Sequence, residues 1–407
     1  MKIQYYKNQA IIQIIQNHHF HLEIVKNISS ISSWNPKEVV HFHNTIGNKE
    51  TPLVKLPGLA KHLGIGSLLV KDESHRFGLN AFKALGASYA MYKQIEINPQ
   101  IKFFCTATDG NHGRAVAWVA RKLKRKAIIY MPSWTVPERV KAIEQEGAEV
   151  HVIDKSYDIA VEMASARVKQ GNETGNNYWS LIQDTAWDGF EEIPLDIMKG
   201  YWTEMYEITQ QMGEDVIDVL FLQSGVGSWA ASILGYVATQ WENPPICISV
   251  EPHSANCLFE SIKAGKRVVV ENDETTIMAG LNCASVSTLA WNILKNGLSG
   301  SISITDELCE EAMRLLAYPI SDDPLIISGE SGASGLGGLI GLSRSTNYKE
   351  LKEKFNLNIV IMGAQEASLV AAKLAEHNIP LIFDPSNRLS WCLLEVVKLG
   401  VVKLFWA

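Results

Sequence analysis

From residue 51 onward, short runs of apolar residues alternate with segments in which apolar residues recur at helical spacing. Runs of this length predict buried β-strands, and the segments between them predict amphipathic helices. The predicted strands are Ser67–Lys71, Lys102–Thr106, Lys126–Met131, Glu149–Ile153, Tyr178–Ile182, Val216–Leu222, Ile246–Glu251 and Asn358–Met362. Strands that alternate with helices are typical of an α/β fold, in which helices cover parallel sheets.

Lys83 is predicted to lie in the first turn of a helix. Asn80 is a favourable N-cap residue, and Phe82, Leu85 and Tyr89 recur at helical spacing around the lysine. The positive end of the helix dipole and partial desolvation should favour the neutral amine, which can attack an aldehyde and hold a Schiff base. A lysine that snorkels from an ordinary amphipathic helix would give the same local pattern.

Two glycine-rich loops follow other predicted strands and begin helices. Residues 106–113 read Thr-Ala-Thr-Asp-Gly-Asn-His-Gly, and residues 223–230 read Gln-Ser-Gly-Val-Gly-Ser-Trp-Ala. Such loops present backbone N–H groups at a helix N-terminus, and the first suits a carboxylate whereas the second suits a phosphate. The second loop also fits a dinucleotide fingerprint, although it does not occupy a first βα unit and no clear ribose-binding acid follows it.

Together, the lysine and the two loops resemble those of the fold type II pyridoxal-phosphate enzymes. The likeness narrows to the diaminopropionate ammonia-lyase family, because long matches occur in the right order from about Thr51 to about Leu342. The matching stretches are Lys71-Asp-Glu-Ser with Arg76-Phe-Gly-Leu-Asn-Ala-Phe-Lys83, Thr108-Asp-Gly-Asn-His-Gly-Arg114, Gln183-Asp-Thr-Ala-Trp187, Ile277-Met-Ala-Gly-Leu281 and Ile326-Ile-Ser-Gly-Glu-Ser-Gly-Ala333. The resemblance implies two open, twisted, mostly parallel sheets flanked by helices, with pyridoxal 5'-phosphate in the cleft between two domains.

The resemblance also implies roles for individual residues. Lys83 would form the Schiff base and then act as a base at the substrate Cα, Asp109 would be the base for the D-enantiomer, and Asp184 would contact the substrate amine. The implied cofactor-binding residues are Lys83, Asn111, Ser224, Gly225, Val226, Gly227 and Ser228. The implied substrate-binding residues are Thr108, Asp109, Gly110, His112 and Asp184.

Without the family resemblance, some of these residues could have purely structural roles. Asn111 could be a turn residue between two glycines, and Asp184 could cap a turn or a helix. Glu330, at a predicted strand-to-helix turn, could be a cap or could line the cofactor cleft.

The implied activity is a lyase reaction of amino acid catabolism, the α,β-elimination of 2,3-diaminopropionate to pyruvate and ammonia. Serine and threonine dehydratases usually carry serine where Asp109 stands, and a carboxylate can hold an ammonium or accept a proton. A dehydratase-like β-eliminase is the second interpretation. A catalytically impaired relative is the third, because Gly363-Ala-Gln-Glu366 stands where the family has a hydroxyl-bearing turn and the segment through Ala407 does not resemble the family's end.

The length of 407 residues, with 46% hydrophobic residues, suggests more than one core. The resemblance implies a large cofactor-binding domain at residues 51–83 and 181–407, a small α/β domain at residues 84–180, and an N-terminal lead segment at residues 1–50. It also implies a small amino-acid substrate and a homodimer.

Net charge, cysteine and histidine spacing, and hydropathy indicate which kinds of binding partner the chain does not have. A net charge of −7 and a pI near 5.9 disfavour nucleic acid and other polyanions. Six scattered cysteines and five N-terminal histidines show no ligand spacing, so no metal is expected. We expect a cytoplasmic protein without a membrane partner, because neither a signal-peptide core nor an apolar run of spanning length is found.

Overall fold

The computed structural model describes residues 5–6, 9–10, 12–173, 175, 177–213, 215–271, 276–345, 348–355 and 359–364. The strands in these residues are β1 (Tyr5–Tyr6), β2 (Gln9–Ala10), β3 (Ile12–Gln16), β4 (Leu53–Lys55), β5 (Ser67–Asp72), β6 (Phe103–Ala107), β7 (Lys126–Pro132), β8 (Glu149–Ile153), β9 (Trp179–Leu181), β10 (Val219–Gln223), β11 (Ile246–Pro252), β12 (Gly300–Ile304) and β13 (Ile359–Ala364). The α-helices are α1 (Leu22–Lys26), α2 (Ser29–Ser32), α3 (Pro36–Thr45), α4 (Pro57–Leu63), α5 (Lys83–Ile97), α6 (Asn111–Lys122), α7 (Pro137–Gln145), α8 (Tyr157–Asn172), α9 (Glu192–Gly200), α10 (Trp202–Gln211), α11 (Ser228–Gln240), α12 (Cys257–Ala264), α13 (Thr288–Gly297), α14 (Asp306–Ala317), α15 (Glu330–Ser343) and α16 (Tyr348–Phe355).

The larger sheet has seven strands in the order β3-β12-β11-β10-β13-β5-β4. Its five inner strands are parallel, and β3 and β4 pair antiparallel at the two edges. Successive side chains of a strand point to opposite faces, so Leu220 and Leu222 pack in the cluster that contains residues of α11, whereas Val219 and Phe221 pack with residues of α15. Because helices cover both faces, the inner strands appear in the sequence as continuous apolar runs.

The smaller sheet has four parallel strands in the order β8-β7-β6-β9. Helix α8 covers one face through Ala160 and Ala164. Helix α6 covers the other face, where Val116 belongs to the same buried cluster as Phe104 and Ile129. The two mostly parallel, helix-flanked sheets confirm the predicted α/β class.

All eight predicted strands are present, with ends shifted by up to three residues. Strands β1, β2, β3, β4 and β12 were not predicted. Strand β12 reads Gly-Ser-Ile-Ser-Ile, and its serines are buried because they have partners: Ser249 Oγ donates to Ser301 Oγ at 2.7 Å, and Ser303 Oγ lies 2.8 Å from His253 Nδ1. Satisfied polar groups can line a sheet interior, although they interrupt the apolar pattern.

The residues predicted as a lead segment contribute to the larger sheet, because β3 pairs antiparallel with β12. Asn17 then donates from Nδ2 to the carbonyls of Lys295 and Leu298, each at 2.7 Å. The proposed division into domains as a whole stays a prediction. In the part of the chain that the structure describes, no helix is both long and apolar enough to cross a bilayer.

Candidate active site

A cavity of about 250 Å³ lies where the loops after β6 and β10 face each other. In parallel α/β sheets, ligands bind at the carboxyl ends of the strands, where such loops converge. Eleven of the predicted site residues line the cavity: Lys83, Thr108, Asp109, Gly110, Asn111, His112, Asp184, Gly225, Val226, Gly227 and Ser228. Ser224, the remaining predicted residue, is buried beside the cavity and does not line it.

Lys83 is the first residue of α5, as the sequence predicted, but the helix begins differently from what was expected. Phe82 occupies the N-cap position without a side-chain cap. Asn80, the predicted cap, adopts a left-handed backbone with φ of 59°, which asparagine tolerates better than most residues. The predicted cap is therefore wrong, because Asn80 lies in the turn before the helix.

The Nζ atom of Lys83 donates to Oδ2 of Asp184 at 2.6 Å. Burial by itself lowers the pKa of Lys83, but the charge and hydrogen bond of Asp184, together with Tyr201 and Asp109, outweigh burial and raise this pKa above its ordinary value. In the same pair, burial raises the pKa of Asp184 and Lys83 lowers it, to about 2. The expectation of a neutral amine is therefore wrong for the cofactor-free lysine. The Asp184 carboxylate, which lies 101 positions away in the chain, stabilises the cation.

Gln183 explains why Asp184 reaches this position. Its Oε1 accepts hydrogen bonds from Thr106 Oγ1 at 2.9 Å and from the Ala107 N–H at 3.0 Å, and its Nε2 donates to the Ala107 carbonyl at 3.2 Å. These bonds fasten the segment after β9 to the end of β6. Asp184 is thus held opposite the loop that carries Asp109.

The loop after β6 is shaped by Thr108. Its Oγ1 accepts from the N–H groups of Gly110 and Gly113, at 2.9 and 3.1 Å, so the hydroxyl supports the start of α6. Asp109 projects into the cavity in a half-buried position. Burial raises the pKa of Asp109, while Arg139 and Lys83 partly lower it. A carboxyl with a raised pKa is suited to proton transfer near neutral pH.

His112 presents a hydrogen-bond acceptor to the site. Its Nε2 lies 2.7 Å from the carbonyl of Ile182, and a carbonyl can only accept, so Nε2 carries the proton. Its Nδ1 is buried and has no hydrogen-bond partner among the described residues. Burial also lowers the pKa of His112, which favours the neutral ring.

The loop after β10 leads into α11 with the geometry of an anion cradle. Helix α11 begins at Ser228, and its N-cap Gly227, with φ of 87°, has no side-chain cap. A Cβ atom on Gly225 would lie 2.9 Å from the carbonyl oxygen of Gly280, so the close backbone approach requires glycine. A narrow loop at an uncapped helix N-terminus fits a phosphate, and Lys83 in the same cavity fits an aldehyde. The residues therefore fit pyridoxal 5'-phosphate.

Three further cavity residues were not assigned from the sequence. Tyr157 accepts a hydrogen bond at its hydroxyl from Gln183 Nε2 at 2.8 Å. Glu330 is the first residue of α15 and lines the cavity, so of its two readings from the sequence the cleft position holds, whereas the N-cap position belongs to Gly329. Arg139 Nη2 lies 3.6 Å from Glu330 Oε2. Arg139 and Glu330 are 191 positions apart, and no local pattern links them.

Within the described residues, no group of three or more His, Cys, Asp or Glu side chains is arranged to hold a metal ion. The cysteines described there, Cys105, Cys247, Cys257, Cys283 and Cys309, are free thiols.

The fold and the cavity define an α/β enzyme of the pyridoxal-phosphate-dependent class. The chain matches the family described as pyridoxal-phosphate dependent enzyme over residues 45–362, which is most of its length. The predicted cofactor is thereby confirmed.

Comparison with individual proteins of this class shows which of its families the chain resembles in sequence and structure. The chain is 43% identical over 350 residues to the diaminopropionate ammonia-lyase of Salmonella typhimurium, covering 79% of this chain and 85% of that protein. It is 41% identical over 338 residues to the diaminopropionate ammonia-lyase of Escherichia coli, covering 78% and 83%. A crystal structure of the Escherichia coli enzyme, in complex with an aminoacrylate-PLP azomethine reaction intermediate, matches with a TM-score of 0.82 and 38% identity over 90% of this chain and 96% of that one. The chain belongs to the diaminopropionate ammonia-lyase family, which confirms the resemblance predicted from its motifs.

Proposed function

We propose that the chain catalyses the α,β-elimination of 2,3-diaminopropionate to pyruvate and ammonia, with the cofactor bound through Lys83. The observation that carries this proposal is the placement of two carboxylates, Asp109 and Asp184, in the same cavity as Lys83. A diamino acid brings a second ammonium into the site, and a carboxylate can hold that ammonium or accept a proton from it.

When bound, pyridoxal phosphate supplies an electron sink for the electron pair left at Cα after proton removal. The N-terminus of α11, with Gly225, Val226, Gly227 and Ser228, would hold the phosphate through backbone N–H groups. Asn111, which also lines the cavity, would lie beside the ring.

Asp184 would hold the second amino group of the substrate. In the cofactor-free site the Asp184 carboxylate pairs with the Lys83 ammonium, and the β-ammonium of the substrate would take the place of that cation once Lys83 carries the cofactor. His112 Nδ1 is an acceptor that could take a further N–H from the same amine.

Lys83 and Asp109 would be the alternative bases at Cα. Two bases on different elements can serve opposite faces of a substrate and therefore opposite enantiomers. The raised pKa of Asp109, caused by burial, suits it to remove a proton. The loop of Thr108 and Gly110 would face the substrate carboxylate.

The test is pyruvate release from purified protein supplied with pyridoxal 5'-phosphate. D- and L-2,3-diaminopropionate, L-serine and L-threonine should be assayed side by side at equal concentration. The diamino acid should be the best substrate by kcat/KM. A preference for serine or threonine would replace this proposal with the dehydratase-like interpretation, and a visible cofactor spectrum without turnover of any substrate would support the impaired relative.

The feature behind the impaired interpretation lies mostly outside the described residues. Gly363 and Ala364 end strand β13, whereas Gln365 and everything after it are not described. The effect of this segment on turnover stays a prediction.

We also propose that the chain acts as a homodimer, as the family resemblance implies, and that it acts in the cytoplasm without a nucleic-acid or membrane partner, as its charge and hydropathy pattern indicate. Light scattering on a size-exclusion column should give about twice the chain mass of 45.2 kDa. A monomeric mass would contradict the proposed assembly.

A further inference from the structure

Arg139 joins two parts of the site. Its Nη1 donates to the backbone carbonyl of Asp109 at 3.3 Å, and its Nη2 lies 3.6 Å from Oε2 of Glu330. Its aliphatic stem packs on the same loop, because a Cβ atom on Gly110 would lie 3.1 Å from Arg139 Cδ. The guanidinium therefore contacts the loop that carries Asp109 and, at the same time, an acidic side chain on another helix.

The two helices in this contact belong to different sheets. Helix α7, which carries Arg139, packs against β8 of the four-stranded sheet, and α15, which carries Glu330, packs against the inner strands of the seven-stranded sheet. The Glu330 side chain is 7% exposed and that of Arg139 is 24% exposed. A partly buried charge pair interacts more strongly than a fully exposed one. The pair thus bridges the two sheets beside the cavity.

We infer that Arg139 is a positioning residue that holds the Asp109 loop in place and sets the charge environment of its carboxylate, with Glu330 as the counter-charge that restrains it. This inference rests on the proposed function, in which Asp109 is the base for the D-enantiomer. Arg139 need not touch the substrate to act in this way.

Asp109 is surrounded by several other ionisable groups. Lys83 and Arg139 contribute positive charge, and Asp184 contributes negative charge. The other ionisable groups that line the same cavity are Glu330 on α15, Glu138 on α7, Tyr157 on α8, His112 and Arg114 on α6, and Cys283 in the loop after α12. Arg139 and Glu330 are the pair of opposite sign in this set that joins the loop to the larger sheet.

The two partners should act on Asp109 in opposite directions. Arg139 lowers the pKa of Asp109, so its removal should raise this pKa. Removing the Glu330 charge leaves the Arg139 charge uncompensated, which should lower the pKa of Asp109. A base works in its deprotonated form, so a higher pKa moves the acid limb of the rate profile to higher pH.

The experiment compares the pH dependence of kcat for D- and L-2,3-diaminopropionate in the native holoenzyme and in three variants. With the D-enantiomer, Arg139→Gln should move the acid limb up by about 0.5–1 pH unit, and Glu330→Gln should move it down by a similar amount. Arg139→Lys keeps the charge and should restore most of the native limb. With the L-enantiomer, for which Lys83 is the base, the limb should shift much less in every variant.

A second readout does not depend on turnover. Thermal unfolding of the cofactor-free protein should be measured for Arg139→Gln, Glu330→Gln and the double variant. If the ion pair exists in solution, the double variant should be less destabilised than the sum of the two single variants. The unfolding curves of this double-mutant cycle also identify any variant that fails to fold, because such a variant shows no cooperative transition.

Three outcomes would overturn the inference. One is an acid limb that moves in the same direction in Arg139→Gln and Glu330→Gln. Another is a large rise in KM for both enantiomers with unchanged limbs, which would make Arg139 a substrate-carboxylate ligand. The third is additive unfolding effects. Absence of turnover in the native holoenzyme would instead contradict the proposed function, so the two failures are distinguishable.

Discussion

The hydroxyl of Ser228 donates a hydrogen bond of 2.5 Å to the backbone carbonyl of Asp184. Ser228 is the first residue of α11, and Asp184 follows β9, so the bond ties the phosphate cradle to the carboxylate that pairs with Lys83. A direct hydrogen bond therefore connects the proposed cofactor-binding and substrate-binding parts of the site.

Ser228→Ala should weaken cofactor binding and disturb Asp184 together. Loss of one hydrogen bond of this kind costs about 0.5–1.5 kcal/mol, which corresponds to a roughly two- to tenfold weaker affinity for pyridoxal 5'-phosphate. Ser224→Ala is the matched comparison, because that side chain lies next to the loop but outside the cavity lining. Cofactor titration by absorption should show the larger loss for Ser228→Ala, and the reverse order would assign the phosphate contact to Ser224.

Borohydride treatment of the protein with bound cofactor should fix the cofactor covalently to Lys83. The lysine lines the cavity at the start of α5, where an aldehyde held by the cradle at α11 can reach it. Peptide mapping by mass spectrometry locates the label. Lys71 is an internal control, since its Nζ is fully buried in bonds to Glu207 and to the Thr51 carbonyl and should stay unlabelled. A label on any lysine other than Lys83 would refute the assignment.

Asp109→Asn should separate the two enantiomers. The amide keeps the shape of the side chain but cannot accept the Cα proton, and loss of a general base typically lowers the rate by roughly two to four orders of magnitude. Turnover of D-2,3-diaminopropionate should fall by about that factor, while turnover of the L-form, served by Lys83, should fall much less. Equal losses in steady-state assays would mean that Asp109 holds the substrate amine or the loop instead.

Acid should weaken the cofactor-free protein through Asp184. Its pKa is lowered from 3.8 to about 2 in the folded state, so the stability that it contributes is fully present above about pH 4 and is lost as pH falls through about 2. Chemical unfolding between pH 5 and pH 2 should therefore show a smaller loss of stability in Asp184→Asn than in the native chain, although other carboxyls titrate in both. Identical pH dependence would argue against the Lys83–Asp184 ion pair in solution.

The sequence predicted the inner strands well because strands covered on both faces appear as apolar runs. It did not predict β12, where buried serines interrupt the run, or the edge strand β3, which reads Ile-Gln-Ile-Ile-Gln and has no strict alternation. The apolar pattern of β3 is weak because, of its five residues, only Ile12 is fully buried.

At the site, the motifs predicted which residues meet but did not predict their charge states. The position of Lys83 in the first turn was correct, yet its protonation depends on Asp184, which is 101 positions away in the chain. The pairing of Arg139 with Glu330 was likewise not predictable, because arginine in a polar helix is typical of a solvated surface. Electrostatics across a cleft depends on tertiary distance, which local patterns do not contain.

Strand β3 has a consequence for how copies of the chain would associate. It occupies the outer side of β12 from Gly300 to Ile304, and its Ile12 packs near Gly341 of α15. A chain shortened to begin at residue 17 would expose the backbone N–H and C=O groups of β12 as an open edge. Open edges pair readily with strands from other molecules, so the shortened chain should self-associate in a concentration-dependent way. Residues 12–16 thus cover the edge of β12 and should limit aggregation through it.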